Sequence, residues 1–367
     1  MDQETAENCW TNAVITTGYS DQMPFGERRF NAIGGDMGTD NADFEVSEIP
    51  AYMPSGTGEH VYLWIEKYGK STMDLTKAVQ KAFEARETDV GCAGKKDVHA
   101  ITRQWISVQT HRDPADALEK LREIGWLKVL QSTRHTNKLH MWHLRGNRFG
   151  VQLYGVQAND GEIQTALDVL SKEGFINYFG KQRFGFNGDN IAQGMRVMAG
   201  AKAPHHLKKL YISAVQSAIF NLLAGKRFEQ MGWNVCAGDV MQKLNAGCFV
   251  CDDPETDLLR AQRGEILITL PLIGKKYMHA QGMAEQQALQ TAQLFFDDWQ
   301  KKFPNDTLSP ACLNQFVDGT RRPFAIRPDN ISFQRLDDTS VHIEFVLPAG
   351  SYATIFLRHL CGCSFTR

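Results

Sequence analysis

Strand patterns and helix patterns alternate along the chain between residues 44 and 171, and this alternation constrains the fold more than any other feature. Apolar and polar side chains alternate over residues 44–49, as they do on a half-buried strand. Leu75, Val79 and Phe83 recur at four-residue spacing, which predicts a helix that Ser71 or Thr72 could cap. The other elements predicted here are strands at residues 60–66, 101–108, 126–130, 139–144 and 148–156, and helices at residues 114–124 and 163–171.

This mixture predicts an α+β domain with a mixed β-sheet flanked by helices, rather than a doubly wound domain. A tight turn at residues 145–147 is predicted to join the last two strands. Residues 1–40 contain several glycines without a sustained period, so we expect a loosely ordered lead-in with one short strand. No dinucleotide fingerprint, P-loop or internal repeat occurs in the sequence.

The pattern changes from about residue 185, where long apolar-periodic helices replace the alternating elements. Residues 210–228 and 282–302 predict two such helices, and we assign them to a second domain. The chain finishes with a predicted strand at residues 341–347 and a predicted helix at residues 352–360. If this strand and helix rejoin the first sheet, the middle of the chain is an insertion.

Basic side chains are concentrated in a few segments, although the 40 basic and 42 acidic residues nearly cancel overall. The main basic segment runs from residue 134 to residue 148 and contains no carboxylate. Its basic residues are Arg134, His135, Lys138, His140, His143, Arg145 and Arg148. Such segregation suits a groove that binds a phosphate backbone in a salt-sensitive manner, although solvated basic faces would give the same pattern.

The sequence carries no sign of a membrane-spanning or secreted protein. No run of about 18 consecutive apolar residues occurs. Asp2 and Glu4 open the chain without a following apolar signal segment, and the eight cysteines are mostly too far apart for a disulfide framework. We therefore expect a cytoplasmic protein with reduced thiols and no membrane partner.

A loop rich in glycine and lysine at residues 91–100 is the first candidate for chemistry. It places Asp97 directly after Lys95 and Lys96 and before a predicted strand. Nearby lysines favour the charged form of a carboxylate, which a nucleophile or general base requires, and they could also hold a backbone phosphate. Aspartate is also a common turn residue, so the pattern alone leaves a structural role for Asp97 open.

Aromatic, amide and cationic side chains are interleaved at residues 177–185, close to the predicted domain junction. Gln182, Arg183 and Phe184 are candidate binding residues there, because aromatic rings and guanidinium groups stack on unpaired bases and amides read base edges. A linker with buried aromatics would show the same composition. Asn147 and Phe149 belong to a smaller set of the same kind.

Cys248 and Cys251 have the C-x-x-C spacing of zinc ligands, and the end of the chain adds His359, Cys361 and Cys363. No second C-x-x-C pair occurs, and the first pair also fits an ordinary strand that enters a turn. A G-x-S-x-G nucleophile elbow is absent from the sequence. We therefore expect neither a metal site nor a serine hydrolase.

The loop at residues 93–104 resembles the AGxKDxxAxTxQ signature of the TruD family of tRNA pseudouridine synthases. Five other blocks match motifs of that family. They are DFxVxE at residues 43–48, a strand and turn matched at residues 58–60, 66–67 and 69, NYFGxQRFG at residues 177–185, SAxQSxxFN at residues 213–221 and LPAGSxAT at residues 347–354. The similar blocks run in the family's order from about residue 43 to residue 360. The chain is therefore similar to this family along most of its length.

The resemblance implies a pseudouridine synthase catalytic domain formed by residues 1–184 and 326–367, with an inserted α/β TRUD domain at residues 185–325. The implied reaction converts uridine to pseudouridine in RNA, and the implied substrate resembles uridine 13 in the D-arm of tRNA. Because this reaction is an isomerisation, we expect no redox cofactor, metal or nucleotide cofactor. Nothing in the sequence resembles a coiled-coil seam, so we expect a monomer.

The resemblance also implies roles for particular residues. Asp97 would act as the nucleophile or base, with Asn147 and Phe149 lining the uracil site. Stacking on Phe149 and contacts to phosphates would offset the cost of extruding the base. The residues expected to bind the substrate RNA are Lys95, Lys96, Asn147, Phe149, Gln182, Arg183 and Phe184.

The chain departs from the family pattern at Gly38, where the family usually has a lysine. That lysine is expected close to the catalytic aspartate, so the aspartate here lacks one cationic neighbour. Lys95, Lys96 or Arg103 could take its place. The departure leaves open a second function, a non-catalytic RNA-binding or RNA-folding protein on the same fold, which would bind RNA in a salt-sensitive manner without isomerising uridine.

Overall fold

A computed structural model describes residues 3–25, 29–185, 187–244, 246–305, 307–363 and 365. The chain divides into two compact units. Residues 30–171, 328–353 and 360–367 form the first, here called the sheet unit, and residues 1–29, 172–327 and 354–359 form the second, the helical unit. The chain changes unit after residues 29, 171, 327, 353 and 359, whereas the domain boundaries expected from the sequence fall after residues 184 and 325. Residues 1–29 and 354–359, expected in the catalytic domain, thus belong to the helical unit.

The described residues form nine α-helices. Their bounds are α1 Gln3–Thr17, α2 Thr72–Phe83, α3 Ala115–Arg122, α4 Asp160–Glu173, α5 Asp189–Met198, α6 His205–Met231, α7 Pro254–Gln262, α8 Gly282–Lys302 and α9 Ala353–Cys361. The helices predicted from apolar spacing are confirmed, and the bounds predicted for α8 agree at both ends. Ser71 caps α2 as predicted, because its side chain accepts a hydrogen bond from the backbone N–H of Asp74.

The prediction of a loosely ordered lead-in over residues 1–40 is wrong for residues 3–17, which form α1. Trp10, Val14 and Ile15 of α1 are buried. The Trp10 Nε1–H donates a 3.0 Å hydrogen bond to Glu229 of α6, which is 219 residues away in the sequence. Packing against so distant a partner stabilises the helix, and local periodicity does not report it.

The strands are mostly short, and about half of them were predicted; β4, β8, β9 and β11 to β14 were not. Their bounds are β1 Gly34–Met37, β2 Phe44–Pro50, β3 His60–Lys67, β4 Val90–Cys92, β5 Ile101–Gln109, β6 Leu127–His135, β7 Leu144–Val156, β8 Phe175–Ile176, β9 Val240–Lys243, β10 Cys248–Val250, β11 Ile266–Leu272, β12 Thr320–Pro323, β13 Ala325–Ile326, β14 Asp329–Arg335 and β15 Val341–Pro348. The short strand expected in the lead-in is β1.

A nine-stranded sheet forms the centre of the sheet unit, in the order β14-β15-β7-β2-β5-β3-β6, with β1 paired to β7 and β4 paired to β5. The pairing of β2 with β5 is parallel and the other pairs are antiparallel, so the sheet is mixed, as predicted. Apolar side chains of β3 and β5 pack with α2 and α3, which confirms the expected α+β class. The final strand β15 pairs with β7, so it rejoins the first sheet.

The predicted pair of strands at residues 139–144 and 148–156 is wrong, because residues 144–156 form one continuous strand, β7. The predicted turn at Gly146 lies inside that strand. A Cβ on Gly146 would lie 2.3 Å from the backbone oxygen of Leu347 on β15. The glycine therefore permits a close approach of two strands, a tertiary requirement that looks like a turn signal in the sequence.

We expect Gly146→Ala to lower the free energy of unfolding by about 2–3 kcal/mol, because the new methyl group would force β7 away from β15. Gly150→Ala in the same strand is a matched control. Its Cβ would lie 3.2 Å from the His342 ring, a side chain that can move, so we expect a change below about 1 kcal/mol. Urea unfolding measures both variants, and equal midpoints would contradict the close-approach explanation.

The helical unit is built around α6, which packs against α1, α5 and α8. A four-stranded sheet in the order β10-β9-β11-β12 and the two-stranded pair of β8 with β13 complete it. Arg227 of α6 donates a 2.8 Å hydrogen bond to the Asp239 carboxylate, and both side chains are almost fully buried. This ion pair ties the central helix to the start of the small sheet.

Candidate active site

Asp97 is half-buried in the loop between β4 and β5, and buried polar side chains fix this loop. The backbone N–H of Lys96 donates to Thr72 Oγ1 at 2.8 Å. The Thr72 hydroxyl donates to Gln104 Oε1 at 3.1 Å, and Gln104 Nε2 donates to the backbone oxygen of Gly94 at 3.4 Å. Thr72 at the start of α2 and Gln104 of β5 therefore hold the loop from two sides.

Lys67 holds the backbone of Asp97 itself. This lysine ends β3, is fully buried, and its Nζ donates to the backbone oxygens of Asp97 at 3.0 Å and Lys70 at 2.7 Å. Burial lowers the pKa of Lys67 to about 8, while the negative charge of Asp97 acts in the opposite direction. A buried ammonium group thus lies against the residue expected to perform the chemistry.

Lys67 was not predicted as a site residue, although a signal was present in the sequence. Leu63 and Ile65 are buried residues of β3, and Lys67 follows them at the two-residue spacing of one strand face. A lysine on the buried face of a strand is rarely left without a specific partner. The strand pattern could therefore have marked Lys67 as a functional candidate.

Lys96 links Asp97's loop to the predicted uracil-binding strand. Its Nζ donates to Asn147 Oδ1 at 2.7 Å and lies 3.2 Å from a carboxylate oxygen of Glu48. The Lys96 and Glu48 side chains are buried. Burial raises the pKa of Glu48, and the charge of Lys96 partly offsets that effect. The structure thus brings Lys96 and Asn147 together and adds Glu48, which the sequence analysis did not single out as a site residue.

Phe149 lies two residues beyond Asn147, so the two side chains share one face of β7. Its ring stacks on Phe345 with ring centroids 5.3 Å apart, and it also tilts against Phe44 at 6.0 Å. Phe149 is only 5% exposed. The structure places Phe149 in an aromatic cluster beside Asn147, and its contact with uracil stays a prediction.

The other two cations considered as replacements for the family lysine lie in different surroundings. Lys95 is exposed. Arg103 donates to Glu66 and Glu45, each at 2.7 Å. Successive residues of a strand face opposite sides, so Arg103 points away from the face on which Gln104 contacts the loop. Arg103 therefore binds carboxylates on the far side of the sheet.

The position of Gly38 has no room for a side chain in this structure. A Cβ there would lie 2.0 Å from Asp43 Oδ2 and 2.6 Å from Tyr154 Cε2. Asp43 is fixed at this point, because it accepts hydrogen bonds from the Tyr154 hydroxyl at 2.8 Å and from the backbone N–H of Asp40 at 2.9 Å. The contact between Asp43 and Tyr154 thus occupies the space that a lysine would need.

Gln182, Arg183 and Phe184 belong to the helical unit, whereas the lysine-rich loop belongs to the sheet unit. Arg183 Nε donates to Ser217 Oγ of α6 at 3.0 Å. Phe184 is 1% exposed, and its ring lies where a Cβ on Gly18 would be. Gln182 is exposed. Arg183 and Phe184 therefore make structural contacts inside the helical unit.

Cys248 and Cys251 fit the predicted strand that enters a turn, since Cys248 begins β10 and Cys251 follows it. Burial raises the pKa of Cys251 to about 12, so its thiol is uncharged at neutral pH. Among the residues that the structure describes, no group of three or more His, Cys, Asp or Glu side chains is arranged to hold a metal ion. In the described part of the chain, no helix is both long enough and apolar enough to cross a membrane.

Comparison with known proteins gives matches along nearly the whole chain. The sequence model of the family described as tRNA pseudouridine synthase D (TruD) matches residues 28–193 and 189–360. The chain is 35% identical to the tRNA pseudouridine synthase D of Anaeromyxobacter dehalogenans over 351 residues, which cover 92% of this chain and 96% of that relative. It is 33% identical to the tRNA pseudouridine synthase D of Thermus thermophilus over 347 residues, which cover 93% and 92% of the two chains.

A solved structure is similar as well. The crystal structure of the tRNA pseudouridine synthase D (TruD) from Methanosarcina mazei matches with a TM-score of 0.67 over 93% of this chain and 97% of that chain. At 19% sequence identity this match supports the fold alone. The family match includes the loop of Asp97 and both units. The chain belongs to the TruD family of tRNA pseudouridine synthases.

Proposed function

We propose that this protein isomerises uridine 13 in the D-arm of tRNA to pseudouridine, with Asp97 as the reacting side chain. The observation that carries the proposal is the geometry at Asp97, a half-buried carboxylate on a loop that buried side chains fix. The family resemblance supplies the proposed position in tRNA. The sheet unit would be the catalytic part, and the helical unit would contain the inserted TRUD domain.

The proposed reaction breaks the bond between N1 of uracil and C1′ of ribose, turns the freed base over, and joins C5 to C1′. C5 loses its proton to solvent and N1 gains one, so the composition of the RNA does not change. No electrons enter or leave. The reaction therefore requires neither a redox cofactor nor a nucleotide, and a positioned carboxylate is sufficient.

Two routes are compatible with this geometry. In the first, the Asp97 carboxylate attacks C1′ as the glycosidic bond opens, and in the second it removes the C2′ proton to give a glycal. Both routes need a carboxylate that is held in place. The hydrogen bond from Lys67 to the Asp97 backbone supports this positioning.

Asn147 is the proposed contact to the edge of the extruded uracil. Its Oδ1 accepts the hydrogen bond from Lys96, so its amide N–H groups are left to donate to a uracil carbonyl oxygen. Phe149 is proposed to line the same site from the same face of β7. The geometry therefore gives the lysine an indirect role, since Lys96 orients the amide that would contact the base.

We propose that tRNA is the macromolecular partner and that the protein works in the cytoplasm as a monomer without a cofactor. Lys95 and Gln182 are proposed to contact the RNA outside the uracil site, whereas the burial of Phe184 and the hydrogen bond of Arg183 to Ser217 favour structural roles for those two residues. The exposed side chains of Lys95 and Gln182 support this assignment best.

The pH dependence of the reaction tests the role of Lys67. Its pKa of about 8 lies below the ordinary lysine value of 10.5, so Lys67 loses its proton at a lower pH in the folded protein than in the unfolded chain. The charge beside Asp97 is present below pH 8 and is lost above it. We therefore expect the single-turnover rate to fall as pH rises through about 8, while stability gains from the same deprotonation between about pH 8 and 10.5.

Lys67→Met is the matching variant. We expect it to lower the rate at pH 7 by about 10- to 100-fold, because it removes both the charge and the hydrogen bond to Asp97. Its pH profile should lack the alkaline decline near pH 8. A Lys67→Met profile that still declines at that pH would contradict the assignment of this decline to Lys67.

Mapping of the product on unmodified tRNA transcripts tests the proposed function. Carbodiimide labelling followed by primer extension should show one new stop, at position 13, without added metal or nucleotide. A transcript with cytidine at that position should show none. Tight, salt-sensitive binding without any stop on any transcript would favour the non-catalytic RNA-binding function and would draw attention to Gly38.

A further inference from the structure

A strained turn lies next to the proposed site. The backbone N–H of His143 donates to the oxygen of His140 at 3.1 Å, which closes a four-residue turn with Trp142 in its third position. Trp142 has φ of +76°, a left-handed conformation that this position of a type II turn normally reserves for glycine. The fold thus keeps a bulky aromatic residue where the backbone would favour glycine.

The Trp142 side chain is also unusually exposed. At 73% exposure it is the most exposed of the large apolar side chains that the structure describes. A ring that stabilised the fold would be packed against other apolar groups, and this ring is not. Neither backbone conformation nor core packing therefore explains a tryptophan here.

The turn is attached to the loop of Asp97. The backbone N–H of Trp142 donates to the oxygen of Ala93 at 2.8 Å, and Ala93 is fully buried at the start of that loop. Three residues separate Ala93 from Asp97, so the two Cα atoms are four steps of the chain and at most about 14 Å apart. On its other side the turn runs into β7, which carries Asn147. The indole is therefore held within a few nucleotides of the proposed uracil site.

The surroundings of Trp142 carry positive charge on exposed side chains. Arg145 follows the turn and is exposed, and Lys95 is exposed on the neighbouring loop. Other members of the basic segment are tied down, since Arg134 donates to backbone oxygens of residues 58, 110 and 112 and Lys138 to that of Thr88. The cations available to a phosphate backbone therefore lie beside the exposed indole.

We propose that the Trp142 indole is a stacking platform for one unpaired base of the substrate RNA, close to the base that enters the site at Asp97. The proposal rests on the proposed function, since it assumes an RNA substrate at this face. Stacking on an exposed aromatic ring next to cations is how proteins hold unpaired bases. A bound base would cover the exposed ring, and the free energy of stacking would offset the cost of the left-handed backbone conformation at Trp142.

Trp142→Gly separates a binding role from a structural one. Glycine relieves the left-handed conformation, so we expect this variant to melt at or above the native temperature. Loss of the ring should weaken binding of an unmodified tRNA transcript by about 5- to 100-fold. Trp142→Phe should keep most of the affinity, because a smaller ring can still stack.

Asn330→Gly is the matched control, since Asn330 is exposed in the same unit, has φ of +49°, and plays no part in the site. It should bind tRNA as the native protein does. Native affinity in Trp142→Gly, in a protein that still forms pseudouridine, would overturn the proposal. Weakened binding in that variant without any pseudouridine from the native protein would support the stacking platform and overturn the proposed isomerisation instead.

Discussion

Asp97→Asn is expected to lower the rate of pseudouridine formation by about 10⁴-fold or more, because the amide can neither attack C1′ nor remove a ribose proton. Asparagine has the same shape, so the hydrogen bonds of the loop backbone to Lys67 and Thr72 should persist. Affinity for tRNA should therefore stay within about threefold of native. Single-turnover product analysis and filter binding on the same transcript measure the two effects.

Asp89→Asn provides the control for this substitution. Asp89 lies just before β4 in the same unit and pairs with Arg86, whose side chain is 83% exposed. The Asp89 side chain is 16% exposed, but its partner lies in solvent, so we expect loss of this pair to have little effect on stability. We expect its rate to match that of the native protein. Retained activity in Asp97→Asn would show that another group performs the chemistry.

Lys96→Met is expected to lower the free energy of unfolding by about 3–5 kcal/mol at neutral pH, because it leaves the Glu48 carboxylate buried without its ion partner. The Glu48 side chain is fully buried, and the 3.2 Å contact to Lys96 supplies its compensating charge. The variant should also lose activity, because Asn147 loses the donor that orients it. Urea unfolding and single-turnover rates measure both effects.

The loss of stability in Lys96→Met depends on pH through Glu48, whose pKa is raised by burial above the ordinary value of 4.5. The folded protein keeps a proton there that the unfolded chain releases. The contribution of Glu48 to the free energy of unfolding is therefore largest below pH 4.5, and it is lost as pH rises through the raised pKa. Removing Lys96 raises that pKa further, so the destabilisation of Lys96→Met should shrink as pH falls towards 4.5.

The double variant Lys96→Met/Glu48→Gln separates stability from catalysis. Removing both charges should return the free energy of unfolding to within about 2 kcal/mol of native. Activity should stay low, since Asn147 still lacks its partner. Full recovery of activity together with stability would mean that Lys96 acts only through the fold.

Local sequence patterns predicted the elements whose signals are local. The N-cap of α2 at Ser71, the bounds of α8 and the alternation over β2 depend on neighbouring residues, and the structure confirms them. The family motifs identified the loop of Asp97. The family resemblance implied an insertion, and the return of β15 to the first sheet agrees with one.

The features that were missed depend on residues far apart in the sequence. The helix α1 is stabilised by contact with α6, and Gly146 is set by the approach of β15 rather than by a turn. The role of Lys67 also requires three dimensions, because its hydrogen bond to the backbone of Asp97 spans 30 residues. No local pattern could place that ammonium group beside the backbone of Asp97.

Release of tritium from a tRNA transcript labelled at C5 of uridine tests the central claim, because the new bond from C5 to C1′ expels the C5 hydrogen. The native protein, without added metal or nucleotide, should release the label of one uridine per tRNA, and Asp97→Asn should release none above background. Binding without release by the native protein, or equal release by both proteins, would contradict an isomerisation that depends on Asp97.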